Sequence, residues 1–261
     1  VALVGFDSAW TAHNRGALCG VVVGPLGTQV LAPTSVTFDE ALTAINELGR
    51  GVDVRLVAID QPLVVPNQAG RRFVEAVVSG PIGRRLGGVQ PANRRRVGMF
   101  DAGAPLWPFL AQLNAELDPD VVLSPRRGTF AIEVYPSLAN VALFQSPAKV
   151  EPLLKYNPER RSFRLGDWQT LLDALRATFD GLGLAAFAQW CADARGAAKP
   201  SKVQQDGVDA LVCLLTALRW WERGREGCEV VGDVQRGYMV VPVDDALRAE
   251  LAASAARAAP G

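Results

Sequence analysis

The first seven residues, VALVGFD, are apolar or small up to Phe6 and then meet a carboxylate, Asp7. A short apolar run of this kind predicts a buried strand. The pattern recurs in ALCGVVVG (17–24) and TQVLAP (28–33). SAWTAHNRG (8–16) is a turn-rich link, and GPLG (24–27) reads as a tight turn. Short Gly/Pro links between apolar runs predict hairpins, so these strands should form an antiparallel meander. The period then changes. TFDEALTAINELG (37–49) has apolar residues at 38, 41, 42, 45 and 48, which is one face of a helix. Thr37 and Glu40 have the spacing of a capping box, and Gly49 ends the segment. VRLVAID (54–60) is a strand again, and it too ends on an aspartate, Asp60. Strand, helix, strand implies a right-handed crossover, with this strand parallel to one of the meander.

Residues 62–128 are rich in Pro, Gly and Arg, with helical patches near 70–79 and 105–117, and read as an insertion. TFAIEVYP (129–136) is a further strand, ended by Pro136. Residues 137–195 carry helical patterns, clearest in DWQTLLDALRATFDGL. A long helix follows at about 201–223, with Ser201 as its cap and Gln204 three residues on. YMVVPV (238–243) is a short strand, and the Ala-rich end, ALRAELAASAARAAPG, a surface helix expected to fray. The sum is an α/β fold: an antiparallel three-strand meander continued by parallel strands, flanked by helices. One domain over 1–261 is expected, with 49% hydrophobic residues to fill its core.

Charge adds little in bulk, because 27 basic and 27 acidic residues cancel. Only local charge can point to a partner. The four cysteines are scattered without a CxxC pair, which suggests reduced thiols in a cytoplasmic protein. The start lacks the pattern of a secretory signal. The longest apolar run, ALVCLLTAL (210–218), is far short of the roughly 20 residues that span a bilayer. His13 is the only histidine and lies in a polar turn, which weakens any Ser-His-Asp or Cys-His mechanism.

The acids are more informative. Asp206 and Asp209 are three apart, hence on one helix face, at the mouth of a segment apolar all round from Val208 to Leu218. Each acid alone has an ordinary explanation, as a turn former or helix cap. Together they fit one site. If the strands ending at Asp7 and Asp60 are parallel neighbours, both carboxylates leave the same carboxyl edge, where ligands of open α/β sheets gather. The long helix would bring Asp206 and Asp209 to that edge. Such a cluster calls for a cation, and hard oxygen ligands select Mg²⁺ or Mn²⁺. Glu133, inside an apolar strand, is either a further site acid or half of an ion pair.

The element order with its final DxxD helix resembles the ribonuclease H-like fold, and the DxxD ending looks like RuvC-type resolvases. More closely, GFDSAW, VAIDQPL, IEVYPSLA, KYNPERR, DGVDALVCLLTA and GYMVVPV resemble the family known as domain of unknown function 429. That family is regarded as a predicted nuclease of this fold. The resemblance implies metal or catalytic roles for Asp7, Asp60, Asp206 and Asp209, with Glu133 as an additional site acid.

Arginines cluster in the insertion. Arg71, Arg72, Arg84, Arg85, Arg94, Arg95 and Arg96 face a single acid, Glu75, and Arg126 and Arg127 follow. KYNPERRSFR adds Lys155, Arg160, Arg161 and Arg164. Guanidinium groups beside an acidic site suit a phosphodiester. Arg71, Arg72, Arg94, Arg95, Arg96, Arg126 and Arg127 are therefore the expected nucleic-acid contacts. Trp10, Trp107, Trp220 and Trp221 either stack on bases or pack in the core. The expected activity is a two-metal nuclease acting on DNA or RNA. Two other readings stand beside it. An ATP-dependent phosphotransferase of the actin type would need a Gly-rich loop where DSAW stands. A non-catalytic nucleic-acid-binding module would not need all four aspartates.

Overall fold

A computed structural model describes residues 1–24, 27–145 and 150–259. The centre of the expected GPLG turn, Pro25 and Leu26, lies outside the described residues, as do 146–149 and the last two residues of the Ala-rich end. The meander is present: β1 (Ala2–Asp7), β2 (Gly16–Gly24) and β3 (Gly27–Val36) pair antiparallel in sequence. On the other side of β1 lies β4 (Val54–Ile59), parallel to it, with Phe6 opposite Ile59. β6 (Gly128–Glu133) continues the sheet in parallel, and the two-residue β5 (Ala115–Glu116) forms the edge, giving the order β3-β2-β1-β4-β6-β5. β1 is thus central, and all six of its residues are buried.

Strand alternation sends β1 residues to two layers. Val4 and Phe6 join Val57 and Ile59 under α1 (Phe38–Leu48) and α3 (Leu106–Gln112), where Phe6 packs on Phe38 and Phe109. The expected Thr37–Glu40 capping box starts α1. Leu3 joins Leu56, Phe130 and Ile132 in the larger layer, covered by α5 (Leu165–Gly181), α6 (Ala185–Arg195) and α7 (Lys202–Arg223). Ser201 caps α7 in a second capping box, with Gln204.

Gly5 shares the layer of Leu3 and Asp7. A Cβ there would lie 2.0 Å from the Ala210 carbonyl oxygen and 2.4 Å from the Leu214 nitrogen. The missing side chain lets the α7 backbone rest directly on the central strand. This contact sets where the helix's acids fall.

A separate hairpin of β7 (Cys228–Asp233) and β8 (Gly237–Pro242) is anchored by Tyr238, whose hydroxyl donates to the Ala131 carbonyl at 2.8 Å. The sequence pattern predicts β8 alone. β7, CEVVGD, carries Glu229, Gly232 and Asp233 around only two adjacent valines, so no apolar run stands out. The insertion supplies α2 (Phe73–Arg84) besides α3, and α4 (Pro136–Phe144) follows β6. The terminal helix α8 (Asp245–Ala258) is not the fraying surface helix expected. Leu247, Leu251 and Ser254 form a buried stripe against α2, and Glu250 binds Arg84 and Arg85. No helix among the described residues is long and apolar enough to cross a membrane.

Candidate active site

Asp7 ends β1, and Asp60 follows β4 directly, its amide donating to the Phe6 carbonyl at 2.9 Å. The two acids therefore leave neighbouring parallel strands at the same carboxyl edge. Asp209 immediately precedes Ala210, the residue that lies against Gly5, and Asp206 is one helical turn earlier. The close approach at Gly5 thus carries both α7 acids to that edge. All four aspartates line one cleft of about 1040 Å³. Asp7 is only 6% exposed, and Asp206 and Asp209 are 7% exposed.

Their surroundings differ. Among the described residues, neither Asp7 nor Asp60 receives a hydrogen bond on its carboxylate. Asp209 is held at both oxygens: the Tyr156 hydroxyl donates to Oδ1 at 2.6 Å, and the Gln205 amide donates to Oδ2. Asp206 is bonded to the ammonium of Lys202, whose Nζ also donates to Gln205 Oε1 at 2.7 Å. Lys202, Gln205, Asp206 and Asp209 therefore form one continuous chain along a single face of the first two turns of α7.

Burial and mutual repulsion set the protonation of the cluster. Burial raises Asp7 well above the usual carboxylate range, and Asp209, Asp60 and Asp206 push it further. Burial also raises Asp60 well above that range, reinforced by Asp209 and Glu133. Asp209 is pushed up to about 7 by burial, against the opposing pull of Tyr156 and Lys202. Burial favours a neutral Lys202, but the bond to Asp206 and the nearby Asp7 outweigh it and raise its pKa. Tyr156 is raised well above an ordinary phenol by burial and by Asp209. The oxygens offered here are hard ligands of the kind Mg²⁺ and Mn²⁺ take. Among the described residues, however, no three His, Cys, Asp or Glu side chains form a ready-made metal-ligand group. Asp206 and Asp209 are already engaged by Lys202, Gln205 and Tyr156.

Glu133 forms a buried ion pair and also lines the cleft of the four aspartates. It stands in register with Ile59, so strand alternation puts it out of phase with Asp7 and Asp60. Arg72 meets it through two hydrogen bonds, at 2.8 and 2.6 Å, and the Leu63 amide donates to it at 2.9 Å. Arg72 also binds Glu75, which in turn accepts from the Arg72 and Ala92 amides. This buried triad pins the start of the insertion to the end of β6. Arg72 is expected as a phosphate contact, but its side chain is fully buried and doubly paired, so that role is corrected.

The other arginines are scattered. Arg94 donates to the Val65 and Phe100 carbonyls and lies over the Trp107 ring, so it ties loop to loop. Arg96 donates to Gln90, while Arg71 and Arg95 are exposed. Arg126 pairs with Glu116 and Asp118, and Arg127 with Asp53. Both precede β6, at the end of that strand opposite Glu133, so they face away from the carboxyl edge. The basic side chains that line the cleft are Arg15, Arg72, Lys155, Arg160 and Lys202. Trp10 also lines it, whereas Trp220 is buried with its indole N–H on the Pro119 carbonyl.

Sequence reasoning missed Lys202, Gln205 and Tyr156 as parts of the site. The first two were legible, because residues 202, 205, 206 and 209 have the i, i+3, i+4, i+7 spacing of one helix face. Nothing in the sequence ties Tyr156 to Asp209, 53 positions away.

The family model described as "Protein of unknown function (DUF429)" matches residues 5–236, most of the chain and every acid of the cluster. No curated protein and no solved structure matches the chain. The chain belongs to that family.

Proposed function

We propose that this member of the DUF429 family is a metal-dependent nuclease of ribonuclease H-like architecture, hydrolysing phosphodiesters of DNA or RNA at the Asp7 cleft. The observation that carries the reading is a pair of adjacent carboxylates, the buried Asp7 and the half-buried Asp60, which receive no hydrogen bond among the described residues and face Asp209 in an open cleft. Unpaired buried charge is costly, and a cation supplied from solvent relieves it. The architecture supports the same reading. An antiparallel meander with three parallel strands beside it, and a late helix across the central strand, is the arrangement expected of such a fold.

Asp7 and Asp60 would hold the metal, with Asp209 reaching it only once its carboxylate moves toward them, because no three of these acids are grouped for an ion as they stand. Bound there, a divalent ion lowers the pKa of a water and offsets charge on the leaving oxygen. The chain's own residues do the rest. Tyr156 and Gln205 fix the orientation of Asp209. Lys155 and Arg160 on the cleft wall offer charge to the phosphates that flank the scissile bond. The test is cleavage of mixed single- and double-stranded DNA and RNA with Mg²⁺ or Mn²⁺. Asp7→Asn and Asp60→Asn should each abolish cleavage while the proteins stay folded. Undiminished cleavage by Asp7→Asn would remove the reading's central residue.

A further inference from the structure

We infer that Lys202 is a built-in cation of this site, so that the aspartates take one divalent ion and not two. The inference rests on the metal-site reading above and sharpens it.

Four observations converge. Lys202 is the first residue of α7, and the Ser201–Gln204 capping box fixes the backbone that carries it. Its ammonium is bonded to Asp206 and to Gln205 Oε1 at 2.7 Å. Gln205 passes the interaction on, donating through its other end to Asp209. Asp7 and Asp60 take no part in this chain, and Asp7, 6% exposed, receives no hydrogen bond on its carboxylate among the described residues. The cluster is thus divided. Asp206 is hydrogen-bonded to its positive partner, whereas Asp7 and Asp60 feel the same ammonium only through space.

Charge balance agrees with that division. Four carboxylates, one ammonium and one divalent ion leave a single negative charge. A second divalent ion would give these five groups a net positive charge and lie against a tethered ammonium, which Coulomb repulsion disfavours in a buried setting. Lys202 is a positioning residue on this account. It holds Asp206 and, through Gln205, the rotamer of Asp209, and it fills electrostatically the role of a second metal.

The experiment counts metal without nucleic acid. The full chain is titrated with Mn²⁺, with free Mn²⁺ followed by electron paramagnetic resonance and heat by calorimetry. Wild type, Lys202→Met, Lys202→Arg and Asp7→Asn are compared, and a melt in EDTA confirms that each is folded. The Lys202 side chain is 44% exposed, so its replacement leaves the core closed. Wild type should bind one equivalent. Lys202→Met should take up a second, or bind the first about tenfold tighter, the scale of one like charge removed from beside the ligands. Lys202→Arg keeps the charge and should bind one. Two equivalents in wild type, lost in Asp7→Asn, would overturn the inference and leave the metal-site reading intact. Identical stoichiometry and affinity in wild type and Lys202→Met would also overturn it. No binding by either protein would overturn both.

Discussion

The carboxylate cluster should make the metal-free protein less stable as pH rises, the reverse of ordinary acid denaturation. An acid whose folded pKa lies above its unfolded value keeps protons that the unfolded chain releases. Its contribution is full below the unfolded pKa and is lost as pH climbs through the folded one. Asp209 moves from 3.8 to about 7. Three units at 1.36 kcal/mol each give about 4 kcal/mol in total, of which about 2 kcal/mol falls between pH 5 and 7. Asp7, Asp60 and Glu133 are raised as well and act with the same sign. The acids shifted the other way, Glu40, Asp233 and Glu250, lose their contribution only as pH falls below the ordinary carboxylate range. They are therefore constant above about pH 5. The assay is urea unfolding in EDTA at half-unit steps from pH 5 to 7.5, with Asp7→Asn in parallel. Wild-type stability should fall by about 2 kcal/mol or more over that range. Asp7→Asn should show a shallower fall, because one repelling charge is gone. Stability that is flat or rising from pH 5 to 7.5 would show that these carboxylates do not share a buried, uncompensated site.

Two further outcomes are expected. Gly5→Ala should cost about 3 kcal/mol in urea unfolding, because its methyl meets the α7 backbone and no side chain there can yield; near-wild-type stability would mean that α7 does not rest on β1. Replacing Arg160 with Ala should flatten the log–log salt dependence of nucleic-acid binding by about 0.7 to 0.9, whereas the Arg126/Arg127 double replacement should leave it unchanged; the opposite pattern would place the substrate on the far edge of the sheet.

The local code of this chain was legible because it acts over a few residues. Alternation and turn residues located the meander, and the two capping boxes at Thr37 and Ser201 marked helix starts with their own hydrogen bonds. Asp7 and Asp60 were recognisable because a charge ending an apolar strand conflicts with its neighbours. The parallel crossover then put both at one edge. Charge clustering in sequence failed where geometry intervened. Arg72 is adjacent to Arg71 in the chain, yet one is buried between two glutamates and the other is exposed. Arg126 and Arg127 precede the Glu133 strand by few residues, but an extended strand separates its two ends by about 3.3 Å per residue, enough to place them across the sheet. Glu133 was ambiguous because only its register with Ile59 decides its phase, and only the fold brings Arg72 to it. Tyr156 and Asp209 meet across 53 positions, and the α7 acids reach the strand edge through the contact at Gly5, some 205 positions away. Sequence spacing fixes what neighbours along a strand or helix can do. Which of those groups share a dielectric, a partner or a cation is settled by packing, because Coulomb and hydrogen-bond energies depend on distance in space and on the exclusion of water.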